Sequence, residues 1–113
     1  MSFLTALRVT VERVEEASLI RVAGEIDYGN VDHLRRHLDH ARYDGDATLL
    51  DLAKVDFMDS AGLDVLLEAS RAVDSDHWPF FIVRPSRAVR RLVEVTGTAD
   101  RLALVYVEEP GVS

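Results

Sequence analysis

Leu7, Val9 and Val11 alternate with polar residues, and this period of two, with Val14 close by, predicts a β-strand. Glu15-Glu16-Ala17-Ser18 is polar and turn-like, and Leu19-Ile20-Arg21-Val22-Ala23-Gly24 predicts a second strand. About four residues separate the two, too few for a crossover helix, so an antiparallel hairpin is expected. Gly24-Glu25-Ile26-Asp27-Tyr28-Gly29-Asn30 reads as a loop, with Asn30 as N-cap of the helix that follows. Val31, Leu34, Leu38 and Ala41 recur at helical spacing, and Asp44-Gly45-Asp46 closes that helix.

Ala47-Thr48-Leu49-Leu50-Asp51-Leu52 is nearly continuous in apolar character, the pattern of a strand covered on both faces of a parallel sheet. Lys54 to Asp59 reads as a loop. From Ser60 the spacing is helical again, with Leu63, Leu66, Leu67, Ser70 and Val73 on one face and Asp74-Ser75-Asp76 as the stop. Trp78 to Val83 predicts another buried strand, with Pro79 at its start, where a missing N–H is tolerated. Ser86 caps a helix that turns Val89, Leu92 and Val93 inward, Gly97 stands at its C′ position, and Leu102 to Val107 predicts a last strand. The order β-β-α-β-α-β-α-β gives an α/β fold: a mixed, mostly parallel sheet opened by an N-terminal hairpin, built by right-handed crossovers and covered by helices.

The length of 113 residues suits a single domain over 1–113, with its core at about 7–107 and a frayed tail at 108–113. Thirteen basic against twenty acidic residues give a net charge of −7, which speaks against nucleic acid and against anionic membrane surfaces as partners. No cysteine is present, so disulfides and thiolate metal sites are excluded. No apolar run approaches a membrane span, and the N-terminus lacks a signal-peptide pattern, so a cytoplasmic location is expected.

The chemistry concentrates in Val55-Asp56-Phe57-Met58-Asp59-Ser60-Ala61-Gly62-Leu63, where a buried strand runs into a helix. Ser60 falls at the helix start, where free N–H groups and the positive dipole end would accommodate a phosphate. By position alone, a plain N-cap at Asp59 or Ser60, with Gly62 serving close packing, is the commoner reading of such a segment, because caps of this type begin most helices. Asp59-Ser60-Ala61-Gly62-Leu63 resembles the signature of the STAS domain family, which includes the bacterial anti-sigma factor antagonists. Gly24-Glu25-Ile26-Asp27 resembles that family's Gly-Glu-Leu-Asp loop, and Val95-Thr96-Gly97 its Leu-Thr-Gly segment. The three segments fall in the family's order, and the resemblance as a whole covers about residues 7–107. Two departures are visible: Ala61 replaces a second hydroxyl residue common in the motif, and the segment from Thr96 to Arg101 is longer than the commonest form.

Other constellations carry less. Asp27, Asp56 and Asp59 could mimic a receiver domain's Mg²⁺ pocket, but a receiver opens β-α-β with its acidic pair after the first strand, and this chain opens with a hairpin. His33, His37 and His40 share one helix face at i, i+4, i+7, displaced from the Val31-Leu34-Leu38 stripe and without a third-ligand or general-base pattern, so they read as a surface face. His77 has no evident partner in its polar turn. Arg87, Arg90 and Arg91 form a basic cluster too small for nucleic acid. No phosphate-cradling glycine loop and no nucleophile–His–acid order supports an enzyme.

The resemblance implies an anti-sigma factor antagonist. The unphosphorylated form would bind an anti-sigma factor, a serine kinase of the histidine-kinase-like ATPase fold, and so release a sigma factor. Phosphorylation of Ser60 would break the complex, and a PP2C-type phosphatase would reset it. Glu25, Asp27, Met58, Asp59, Ser60, Gly62 and Leu63 are the expected partner-binding residues, with Met58 and Leu63 equally readable as core, and Asp59 as the residue that orients the hydroxyl or is read by the kinase. No catalytic residue, metal or cofactor is expected, and the chain would be a monomer or weak dimer. The alternatives are a STAS subunit of an ABC transporter or stress-sensing complex, and a small-molecule or nucleotide-binding STAS module.

Overall fold

The computed structural model describes residues 7–105. β1 (Arg8–Val14) and β2 (Ala17–Ile26) form the expected antiparallel hairpin, with Val14 opposite Ala17. The connection is only Glu15-Glu16, and Glu15 takes a left-handed φ of 57°, as the twist of a tight hairpin favours. There follow α1 (Val31–Asp44), β3 (Ala47–Met58), α2 (Ser60–Ser75), β4 (Phe80–Val83), α3 (Arg87–Thr96), a 3₁₀ turn at Ala99–Arg101 and β5 (Leu104–Val105). The strands stand in the order β1-β2-β3-β4-β5, with only the β1–β2 pair antiparallel.

That order has a structural consequence. Each parallel crossover steps to the next strand in the same direction, and right-handed crossovers that never reverse place all three helices on one face. The burial pattern follows. Ile20, Val22 and Ile26 of β2, Leu50 and Leu52 of β3, and Phe80 and Ile82 of β4 are buried together with Leu34, Leu38, Leu66 and Val89 of the helices. On the opposite face, Leu49 is only half-buried and Phe81 is 41% exposed. The expectation that the Ala47–Leu52 run is covered on both faces is therefore corrected: among the described residues the sheet has one helical layer, and its apolar residues on the other side are partly open.

Two predicted loops are strand in part. β2 continues through Gly24, which adopts φ 100°, to Ile26, and β3 continues to Met58. Irregularities in the β2–β3 register break the simple alternation there, while Val55 and Met58 remain buried. β4 begins at Phe80, one residue after Pro79, whose carbonyl accepts the Thr48 N–H at 2.8 Å. Trp78 lies outside the strand but inside the core, stacked on Phe80 at 4.6 Å, with its indole N–H donating to the Asp46 carbonyl at 2.9 Å. Ser86 caps α3 through the Val89 N–H, and Gly45 and Gly97 take the left-handed conformation that ends α1 and α3. The last strand begins later than expected, at Leu104, because a 3₁₀ turn precedes it; residues 106–113, on which the expected end of the strand and the tail fall, lie outside the described residues. Among the described residues no helix is long and apolar enough to cross a membrane.

Candidate functional site at the start of α2

The parallel pairing of β2 and β3 brings their C-terminal ends together, with Ile26 beside Met58, and the Asp59 N–H donates to the Ile26 carbonyl at 3.1 Å. The loop after β2 and the start of α2 thus form one rim. The loop is closed by its own side chains. Asp27 Oδ1 accepts from the N–H groups of Gly29 at 2.9 Å and Asn30 at 3.1 Å. Asn30 Oδ1 accepts the Asp27 N–H at 2.9 Å, and its Nδ2 donates to the Glu25 carbonyl at 2.9 Å. Asn30 occupies the N-cap position of α1 but makes no side-chain cap, because its amide is spent on the loop.

Asp59 joins the two halves of the rim. As N-cap of α2 it accepts the N–H groups of Ala61 at 2.9 Å and Gly62 at 3.1 Å on Oδ1, and Oδ2 accepts the Tyr28 N–H at 3.0 Å. Ser60 is the first helical residue and is exposed. The expectation that α2 offers free N–H groups to a phosphate is therefore corrected. Of the first-turn donors, those of Ala61 and Gly62 are taken by the Asp59 carboxylate and that of Leu63 by the Asp59 carbonyl at 3.1 Å. Likewise Asp59 binds backbone amides on both sides of the rim and not the Ser60 hydroxyl.

The other expected contact residues divide sharply. Met58 and Leu63 are each 5% exposed and belong to the core, which decides their two readings. Gly62 is buried beneath them: a Cβ there would lie 2.6 Å from Met58 Cγ and 2.9 Å from Ile26 Cγ2, so its lack of a side chain serves helix–sheet packing. These three are therefore removed from the accessible surface on which they were expected. Glu25 and Asp27 are half-buried at the rim, and Ser60 stands out from it. Two residues not expected there join the surface: Tyr28, 84% exposed, and Phe57, 47% exposed beside Glu25. Tyr28 was legible as the lone aromatic in a turn of polar and glycine residues. Phe57 was hidden, because its outward direction depends on the β2–β3 irregularity.

The remaining candidates settle into structural surroundings. Thr96 Oγ1 donates within α3 to the Leu92 carbonyl at 2.7 Å and meets Thr98 Oγ1 at 3.0 Å, and the longer segment after Gly97 is taken up by the 3₁₀ turn. His33 and His37 stack edge to face at 5.1 Å. Partial burial holds the His37 imidazole below its ordinary pKa, with the neighbouring His33 and His40 acting in the same direction. Among the described residues no cluster of His, Asp or Glu is arranged to hold a metal ion. Arg35 pairs with Asp32 and Glu68, and Arg42 with Asp76, so ion pairs link α1 to α2 away from the rim.

Comparison with known proteins places this rim in a family. The STAS domain profile matches residues 8–109. An anti-sigma-B factor antagonist of Staphylococcus aureus is 32% identical over 91 residues, spanning 80% of this chain and 82% of its own length. Among solved structures, an anti-sigma factor antagonist from Mycobacterium paratuberculosis superposes with a TM-score of 0.77 at 26% identity, covering 88% of this chain and 85% of that one. The Bacillus cell fate determinant SpoIIAA in its phosphorylated form superposes with a TM-score of 0.66 at 22% identity, covering 92% and 93%. With a hairpin-opened sheet, one helical layer and the Asp59–Leu63 segment at the strand-to-helix junction, the chain belongs to the STAS domain family.

Proposed function

We propose that this protein is an anti-sigma factor antagonist, a binding partner switched by phosphorylation of Ser60. Unphosphorylated, it binds an anti-sigma factor that is also a serine kinase, and the sigma factor is released. Phosphorylation ends the complex, and a phosphatase of the PP2C type restores it. The protein is then a ligand and a substrate, with no catalytic group of its own. The similarity to the Staphylococcus aureus antagonist supports the partner class.

The observation that carries the reading is the exposed Ser60 hydroxyl beside a carboxylate that has already claimed the helix amides. A phosphoryl group adds about −1.5 to −2 charge. The dipole of α2 favours that charge by about 0.3–1 kcal/mol. Asp59 opposes it by about 1 kcal/mol per unit charge at close range in water. The net opposition, about 0.5–1.7 kcal/mol, is small against the roughly 5–15 kcal/mol that stabilises a typical domain, so the fold persists and the new charge projects from the exposed Ser60 position on the rim. A partner that buries this rim must then desolvate a dianion, and it dissociates.

The test is calorimetry against one cognate anti-sigma factor, with intact-mass spectrometry after incubation with that protein and ATP. Ser60→Ala takes no phosphate and keeps the wild-type affinity. Ser60→Glu binds more weakly, though less so than the phosphorylated protein, since a carboxylate carries less charge and fewer acceptors. Equal affinity of Ser60→Ala and Ser60→Glu, or phosphate on Ser70, Ser75 or Ser86, refutes the proposal.

A further inference from the structure

The sheet face turned away from the helices holds a groove of about 490 Å³ that the rim at Ser60 does not use. Arg8, Thr10, Arg21, Asp51, Lys54 and Arg84 line it. The strand register explains most of this. Arg8 pairs with Ala23 and Thr10 with Arg21, and Arg21 lies beside Asp51, so these residues share a face. Lys54 is three positions after Asp51, and in a regular strand it would point to the helices. A register shift between Arg21 and Ala23 instead sets Lys54 beside Ala23. The Asp51 carboxylate closes that irregularity by accepting the Ala53 N–H at 2.9 Å. Arg84, directly after β4, is held at a left-handed φ of 51°.

Two backbone irregularities thus turn cations into one groove, and such features gather at functional sites. Asp51 is 8% exposed and lies 3.9 Å from Arg21 Nε, and Arg21 also pairs with Glu12 at 2.6 Å. Four cations against these two carboxylates leave the groove positive on a chain of net charge −7. Among the described residues, Arg8, Lys54 and Arg84 enter no ion pair. The volume is that of a small-molecule site.

We propose that this groove binds a small solute carrying two or more phosphoryl or carboxylate groups. The guanidinium groups of Arg8, Arg21 and Arg84 supply forked donors for its oxyanions, and Lys54 adds a point charge. Thr10 and Asp51 are placed to meet an uncharged hydroxyl of the same solute. Binding here is independent of Ser60 and stands whether or not the protein is phosphorylated.

The experiment titrates inorganic pyrophosphate into the ¹⁵N-labelled full chain, following backbone and Arg Nε resonances, at low and at physiological salt. Saturable shifts centred on Arg8, Arg21, Lys54 and Arg84 are expected. The double variant Lys54→Glu/Arg84→Gly should weaken binding by at least about tenfold, since removing one charge-assisted hydrogen bond weakens binding by about that factor. It should fold, because Lys54 is exposed and glycine adopts the φ of Arg84 without a Cβ clash. Arg90→Ala/Arg91→Ala on α3 and Ser60→Ala should bind as the wild type does. Three outcomes overturn the proposal: shifts spread over all arginines or centred on α3, an unchanged affinity in the double variant, or a glutamate-rich peptide that binds the groove more tightly than pyrophosphate. The last would assign the groove to an acidic protein segment.

Discussion

Asp59 plays two roles with two oxygens, and one pair of substitutions separates them. Oδ1 caps α2 through Ala61 and Gly62, and Oδ2 holds the Tyr28 amide of the neighbouring loop. In Asp59→Ala both are lost. The missing cap costs about 1 kcal/mol and the missing anion at the helix start about 0.3–1 kcal/mol more. The Tyr28 amide is exposed and regains water, so it adds little. In Asp59→Asn one oxygen remains. If it keeps the cap, the new NH₂ faces the Tyr28 N–H, donor against donor, and the loop is released. Asparagine is as good a cap as aspartate, so the cost falls to about 0.5–1 kcal/mol, mostly the lost charge. At about 4 °C per kcal/mol, Asp59→Ala should melt about 5–8 °C below wild type and Asp59→Asn about 2–4 °C below. Amide hydrogen exchange reads the hold on the loop. Tyr28 should exchange faster in both variants, while the first turn of α2 stays protected only in Asp59→Asn. Equal melting temperatures for the two variants, with Tyr28 exchange unchanged, would refute this division of labour.

Gly62→Ala tests the helix–sheet packing. Alanine favours a helix by about 1 kcal/mol over glycine, but its Cβ would press on Met58 and Ile26, and overpacking of about 1–3 kcal/mol should win. Urea unfolding should show net destabilisation, and Gly62→Ala should cost less in a Met58→Ala background than in the wild type, although Met58→Ala itself destabilises by about 2–5 kcal/mol; a stabilised Gly62→Ala would contradict the packing. The lowered pKa of His37 predicts a pH dependence. The unfolded chain takes the proton more readily, so stability falls as pH drops below about 6.5 and is level above it. His37→Gln should flatten the urea midpoint against pH between 7 and 5, and an unchanged slope would remove His37 as its source. Trp78→Phe should lose about 1 kcal/mol with the indole bond to Asp46, while Trp78→Ala should lose about 3–5 kcal/mol with the core packing, both read by chemical denaturation.

The order and type of the elements were legible in the chain, because period and punctuation are local properties. Val31-Leu34-Leu38-Ala41 could bury one stripe only as a helix, and Ser86 and Gly97 bracket α3 by hydrogen-bonding and φ requirements within a few residues. The segment around Ser60 was likewise recognisable from its own letters, and the family it resembles is the one the chain belongs to. What the rim presents was not local. Met58 and Phe57 are adjacent apolar residues, and only the pairing of β3 with β2 turns one into the core and the other into solvent. Asp59 looked like a partner for Ser60 until the loop after β2, about thirty residues earlier, brought the Tyr28 amide to its second oxygen. The one-sided sheet came from strand order, which no single apolar run encodes. Arg8, Arg21, Lys54 and Arg84 are scattered through the sequence with no motif among them. They meet because the hairpin register, one irregularity at Ala53 and one left-handed residue after β4 are decided by contacts between strands, whereas hydrophobic periodicity reports only each strand's own burial.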